Sequence, residues 1–289
     1  FTYLLWNQAQ ADMFARNKPN VRHFTINRAY QPGMQRFPAI SWTGDGQSCT
    51  HEELLRGMMN GSPLTSCDLT SPDATTLVRQ YQSAVFTPIM RCHMMKGTPR
   101  FPWFWGGDAH QIAFQKALEM RYRFLPFLYS LAHAAYRTGK PISHPATFAY
   151  PGECAVPTSL RCVEATKTYM VGGVLVPSDL LGLAHTSIRP PPLENVSRAV
   201  LPESSVGWYR WNTSATVKGG QTVKETLKLS EMAVFVAAGA ILPLQANASH
   251  VQRTALLGGL LEVQIYGGAD GQFVMVEDDG ISYDYQHKG

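Results

Sequence analysis

The sequence predicts an α/β domain built from parallel βαβ units, followed by an all-β region. Three observations carry that prediction. Before Tyr150, segments with helical period alternate with short apolar runs rich in β-formers. Such runs end on polar or charged residues that lead into loops, most plainly Ala39–Trp42 before Thr43, Gly44 and Asp45. After Tyr150 the runs stay short and lose the helical period, and Pro190 to Pro192, Gly219-Gly220 and Gly267-Gly268 punctuate them. About four strands can be read in the α/β part, whereas a (β/α)₈ barrel closes on eight. Part of a barrel and a complete small doubly wound sheet therefore both fit at this level.

The elements follow in order. Tyr3 to Asn17 reads as a helix, with Leu4, Leu5, Ala9, Met13 and Phe14 able to share a face and Lys18-Pro19 stopping it. Val21 to Asn27 reads as a strand ending near Arg28, and the Ala39 strand follows a Pro- and Gly-containing loop. Thr50 and Glu53 form a capping box for a helix from His51 to Met59. Leu64 to Leu69 is a short strand, and Ser71 to Asp73 caps a helix from Ala74 through Val85. The longest helical pattern runs from Ala113 to Tyr136, with a kink expected at Pro126 and a stop at Thr138-Gly139. Pro141 to Tyr150 reads as the next strand, Leu260 to Tyr266 and Gln272 to Glu277 as the last ones, and Asp278-Asp279-Gly280 as a solvated turn. His110, His133 and His144 have no obvious partners in the sequence.

Chemistry concentrates at the ends of the predicted strands. In parallel α/β folds these ends carry the functional residues. Asp45 follows one such strand, and Trp42 beside it is placed to desolvate the carboxyl and suit it to general acid work. Asp68 has the same position one βα unit later. Arg91 and His93 are alternate residues, so an extended backbone puts them on one face. Arg28 ends the Val21 strand. Each residue also has a plain structural reading: a strand-end Asp often caps or orders a loop, and a lone His is often packed. Together, two carboxylates, a guanidinium and an imidazole suggest a polar pocket for a neutral, hydroxyl-rich ligand. The adjacent Trp103, Phe104 and Trp105 cannot all face one core, so at least one is expected to line a cleft.

Composition excludes several classes. The net charge is +4 with 16 % charged residues, and no basic run alternates with aromatics, so nucleic acid is not an expected partner. No apolar run reaches the ~18 residues of a membrane span. No dinucleotide fingerprint, phosphate-binding loop or serine-hydrolase elbow is present. The cysteine spacing matches no zinc site, and no cofactor is expected. Sequons at Asn195, Asn212 and Asn247 give a modest indication of secretion, and Cys154 and Cys162 bracket a loop they could close in an oxidising compartment. Phe1 in place of an initiator Met suggests a partial or processed product.

The sequence resembles glycoside hydrolase family 31, the α-glucosidase family. The matching stretches are Phe24 to Arg28, Gly33 to Phe37, Trp42 to Asp45, Asp68, Phe86 to His93, Met120 to Tyr129, Leu201-Pro202, Gly207 to Tyr209, Gly239 to Pro243, and Asp270 to Gly280. The resemblance implies that residues 1–150 are the C-terminal half of the catalytic barrel, 151–245 a proximal β-sandwich domain and 246–289 the start of a distal β domain. It implies Asp45 as general acid/base, with Arg28, Trp42, Asp68, Arg91 and His93 holding the sugar. The family's nucleophile motif, an Asp followed by Met-Asn-Glu, is not found; Asp12-Met13 lies in the predicted helix without that sequel. A companion polypeptide carrying the first half of the barrel and the nucleophile is therefore expected, as are an α-glucoside oligosaccharide substrate and a secreted, lysosomal or luminal location. Leu69-Thr70-Ser71-Pro72 lacks the aromatic that usually follows the Asp68 position, Gly46 replaces the common Asn, and Asn27 and Ala29 flank Arg28 unusually. These departures leave linkage specificity open, and transfer to a sugar, a lyase reaction or a non-catalytic subunit role stand as alternatives.

Overall fold

The computed structural model describes residues 2–28, 31–44, 51–71, 73–93, 107–154, 165, 167–177, 195–246 and 260–286. The first part alternates helix and strand: α1 (Thr2–Asn17), β1 (Thr25–Asn27), β2 (Ala39–Trp42), α2 (His51–Met59), β3 (Thr65–Ser66), β4 (Asp68–Leu69), α3 (Ala74–Ala84), β5 (Arg91–Cys92), α4 (Asp108–Arg123) and α5 (Leu125–Thr138). The pairs β1–β2, β2–β3 and β4–β5 are all parallel. This is the predicted βαβ order.

Local chemistry sets these boundaries. The Asp73 carboxylate accepts from the Thr76 amide at 2.7 Å and caps α3. The long helical pattern breaks at Phe124, and Pro126 lies in the first turn of α5, where its missing N–H costs nothing. Gly139, at φ 74°, closes α5 in the left-handed conformation.

The second part is β-rich: β6 (Ser143–Pro145), a short α6 (Ala146–Ala149), β7 (Thr168–Val171), β8 (Val174–Pro177), β9 (Asn195–Leu201), β10 (Trp208–Arg210), β11 (Thr216–Val217), β12 (Gln221–Leu227), β13 (Phe235–Ala237), β14 (Ile241–Gln245) and β15 (Leu261–Ile265). A six-stranded sheet has the order β11-β10-β13-β8-β7-β6. Its β7–β8 hairpin turns on Gly172-Gly173, with Gly172 at φ 56°. Strand alternation serves two cores. Met170, Leu175 and Phe235 face Ala199, Leu201 and Leu227 of the β9–β12 pair, while Tyr169, Val171, Val174, Val176 and Val236 pack with the helices α2 to α5. Covered on both faces, β7 and β8 are fully buried, which explains their unbroken apolar text. Arg79 of α3, fully buried, donates to the carbonyls of Leu229 and Glu231 and ties the two parts together. Burial without a carboxylate partner pushes its pKa down to about 10.

Four expectations are corrected. Ser143–Pro145 is a strand but pairs antiparallel with β7, so it belongs to the second part and not to the parallel run. Residues 272–277 form no strand. The apolar face of α1 is only partly covered: Phe14 stacks on His23 and Leu4 is half-buried, but Tyr3, Leu5, Trp6 and Met13 are exposed and only Asn7 is buried. The acidic turn is not merely solvated. Asp278 is 5 % exposed at its side chain and receives two 2.8 Å bonds from the Arg22 guanidinium and one of 2.7 Å from the Tyr129 hydroxyl. His133 lies 3.4 Å away, so it too has a partner. His110 meets the Thr75 hydroxyl at 3.0 Å, and His144 is buried against the Pro145 carbonyl. Among the described residues, no helix is long and apolar enough to cross a membrane.

The Arg22 guanidinium holds the Asp278 carboxyl well below the usual carboxylate range. A depressed carboxyl pKa stabilises the fold above its unfolded value and loses that contribution as pH falls. Asp278→Ala is expected to cost about 3 kcal/mol in denaturant unfolding at neutral pH. Asp278→Asn should show a shallower loss of stability than wild type below about pH 4.

Candidate active site

Parallel register builds the site. Asp68 stands opposite Arg91, Leu69 opposite Cys92, and Trp42 opposite Ser66. Alternation sends Leu69 into the helix-packed core, with Cys92 packed against it. The opposite face receives Trp42, Ser66, Asp68, Arg91 and His93. All lie at or near the carboxyl ends of their strands.

The contacts among them are specific. An Asp68 carboxylate oxygen lies 3.3 Å from Arg91 Nη1. The carboxylate is almost fully buried at 3 % exposure, whereas the Arg91 side chain is 42 % exposed. A buried carboxylate needs such a partner, since an unpaired charge there would be strongly disfavoured. The Arg91 guanidinium also sits 5.3 Å from the centroid of the Trp42 ring, a cation–π contact. Its Nη2 meets His93 Nδ1 at 2.8 Å. A guanidinium only donates, so Nδ1 accepts and the imidazole proton resides on Nε2. His93 thereby keeps a donor for another group. The buried Trp42 indole N–H has no hydrogen-bond partner among the described residues.

Arg28 and Gly44 complete the described rim. Gly44 is at φ 85°, and a Cβ placed there would fall 1.9 Å from Arg28 Nε. The guanidinium therefore fills the space beside Gly44 that a side chain would take, where the chain leaves β2. Asp45 lies outside the described residues, as do Trp103, Phe104 and Trp105. The structure thus brings Trp42, Asp68, Arg91 and His93 together and sets Arg28 against the residue before Asp45. Cys67 and Cys154 are disulfide-bonded, and the Cys92 side chain hydrogen-bonds with that of Tyr81. Cys162, the expected partner of Cys154, lies outside the described residues. Among the described residues, no three His, Cys, Asp or Glu side chains gather as a metal site.

Residues 2–131 match the glycosyl hydrolases family 31 TIM-barrel domain, and residues 139–242 match the glycosyl hydrolase family 31 C-terminal domain. The chain belongs to glycoside hydrolase family 31. Its family 31 relatives include neutral alpha-glucosidase C of Mus musculus, 28 % identical across 96 % of this chain and 30 % of the relative. An alpha-xylosidase of Saccharolobus solfataricus is 28 % identical across 94 % of this chain and 36 % of its own length. A solved GH31 dextranase of Flavobacterium johnsoniae, complexed with glucose, aligns at TM-score 0.77 and 25 % identity, covering 97 % of this chain and 35 % of that one. The chain spans about a third of the length of these relatives. The fold is that of the family's TIM-barrel and C-terminal β domains.

Sequence reasoning missed Arg121 and Asp278 as organising residues. Both lie in stretches that carry the family resemblance, Met120 to Tyr129 and Asp270 to Gly280, but their partners lie tens to hundreds of positions away and the stretches alone do not name them.

Gly44→Ala puts a methyl where the Arg28 guanidinium now lies and forces a left-handed backbone on a residue with a Cβ. It should cost about 1–2 kcal/mol in thermal unfolding. A structure of the variant should show Arg28 displaced, and an unmoved Arg28 would contradict the packing described.

Proposed function

We propose that this chain forms the acid/base side of the active site of a retaining α-glycosidase acting on terminal α-linked glucose. The observation that carries the reading is the convergence of Asp68, Arg91, His93 and Trp42 at neighbouring parallel strand ends. A buried carboxylate, a half-exposed guanidinium and an imidazole N–H offer acceptors and donors to vicinal hydroxyls. The indole supplies an apolar wall. Family membership and the α-glucosidase relatives support this chemistry.

In this reading Asp45, one residue beyond Gly44, is the general acid/base. A second carboxylate attacks the anomeric carbon while Asp45 protonates the departing oxygen. Asp45 then takes a proton from water, or from a sugar hydroxyl, to release the product. The transition state carries oxocarbenium character, and the Asp68 carboxylate lies where it can oppose that charge. Arg28, packed beside Gly44, orients the segment that bears Asp45.

The nucleophile comes from a barrel segment outside these 289 residues. Two features support it. Strand β1 is paired on one edge only among the described residues, and the exposed Phe24, Ile26 and α1 apolar side chains lie beside it in sequence. Both are what the second half of a barrel would leave for the first half to cover. The disulfide-bonded Cys67 and Cys154 and the exposed sequon at Asn212 support a secreted or luminal setting.

Asp45→Asn in the assembled enzyme should lower kcat by about 100-fold or more on a disaccharide with a poor leaving group. It should be far milder on an activated aryl α-glucoside, which departs without acid help. Equal loss on both, or none on either, would overturn the assignment. Product analysis separates hydrolysis, which gives free glucose, from transfer, which gives longer oligosaccharides, and from a lyase, which gives an anhydro sugar.

A further inference from the structure

Strand β5 is two residues long, and so is its partner β4. Elements this short make too few ladder bonds to define their own register. A slip by one residue would turn Arg91 and His93 away from Asp68 and present Cys92 instead. Something outside the ladder must hold the incoming chain.

That chain runs from the end of α3 at Ala84 to Arg91. Its carbonyls include those that the last turn of a helix cannot satisfy internally. Arg121, on the following helix α4, takes three of them. Its Nη1 donates to the carbonyls of Val85 at 2.8 Å and Thr87 at 2.5 Å, and its Nη2 donates to that of Pro88 at 2.9 Å. The next carbonyl, of Ile89, accepts from the Ser66 hydroxyl at 2.6 Å and from the Thr87 hydroxyl at 2.8 Å. Ser66 lies two residues before Asp68. The segment is therefore gripped by α4 on one side and by the strand leading to Asp68 on the other. Arg121 makes no ion pair among the described residues; its bonds read backbone alone. Burial pushes its pKa down to about 10, yet the guanidinium stays charged at neutral pH.

We propose that Arg121 is a positioning residue for the sugar site. Its planar fork fixes the backbone of Val85 to Pro88 and so sets the register that brings Arg91 and His93 onto Asp68. The proposal rests on the reading of these residues as the sugar-holding group. A lysine offers one ammonium centre and cannot span three carbonyls in this way.

The test compares Arg121→Lys and Arg121→Met with Arg91→Ala, alone and combined, in the assembled enzyme with an aryl α-glucoside. Amide exchange of residues 85–93 and thermal unfolding are measured in parallel. Arg121→Met should lower kcat/KM by about 100-fold, as expected for lost alignment. Added to Arg91→Ala it should cause clearly less than that full loss, because the Arg91 alignment is already gone and only the placement of His93 is left to lose. Exchange should speed up in residues 85–93 while peptides of β7 and β8 stay protected. Arg121→Lys, the variant kept for the case in which Arg121→Met does not fold, should show the same pattern in weaker form. Losses that multiply in the double variant, or protection of residues 85–93 equal to wild type, would overturn the proposal. If Arg91→Ala alone leaves kcat/KM unchanged, the sugar-site reading fails, and the exchange of residues 85–93 still decides whether Arg121 sets the register.

Discussion

The pairing of Asp68 with Arg91 is the constraint on which the rest of the site depends. It places a carboxylate with almost no solvent exposure beside a guanidinium that is half in water. Such an arrangement holds only if the two strand ends stay in register, because the carboxylate has no other cation among the described residues. The Trp42 ring near the guanidinium and the His93 nitrogen beside it complete the polar cluster. In the proposed reading this cluster is what would meet the sugar hydroxyls, with donors and acceptors already placed by the fold.

The cluster is held by structure well beyond the strands. One continuous core runs from α2 through α5 to β7, β8 and β14. The parallel part and the β-rich part therefore share their apolar interior and are not beads on a string. Two polar ties reinforce that junction: buried Arg79 on the carbonyls of residues 229 and 231, and the cluster of Arg22, Tyr129, His133 and Asp278. The second tie brings the chain near its described C-terminal end back to the residues just before β1, where the Arg22 amide also donates to the Ile281 carbonyl. Arg28 lies one residue beyond β1. Strand β15 pairs antiparallel with β14.

Much of this was legible in the sequence wherever the determinant was local. The Asp73 cap, the break before Pro126, the Gly139 stop and the shared face of Arg91 and His93 all follow from neighbours within a few residues. Family resemblance singled out Asp68 and Trp42, and the structure sets both beside Arg91; their roles toward a sugar remain the proposal. What was not legible depends on distant partners. Ser143–Pro145 has the text of a strand, but nothing in it says that β7 is its neighbour. Asp278 looks like any turn acid until Arg22, 256 positions away, is seen beside it. The apolar text of α1 predicted a buried face, and Leu5 and Met13 of that face are exposed while Leu4 and Phe14 are partly covered, so sequence period alone did not tell how much of the face is packed.

The central claim is that this chain lends acid/base and sugar-holding groups to a site whose nucleophile lies on another segment. A mechanism-based α-fluoroglucoside with a good leaving group tests it most directly, because it leaves the sugar covalently bound to the attacking carboxylate. Peptide mapping of the labelled enzyme should find the sugar on an Asp outside residues 1–289, with labelling slowed by Arg91→Ala. A sugar attached to Asp45, Asp68 or any other carboxylate of this chain would contradict the account.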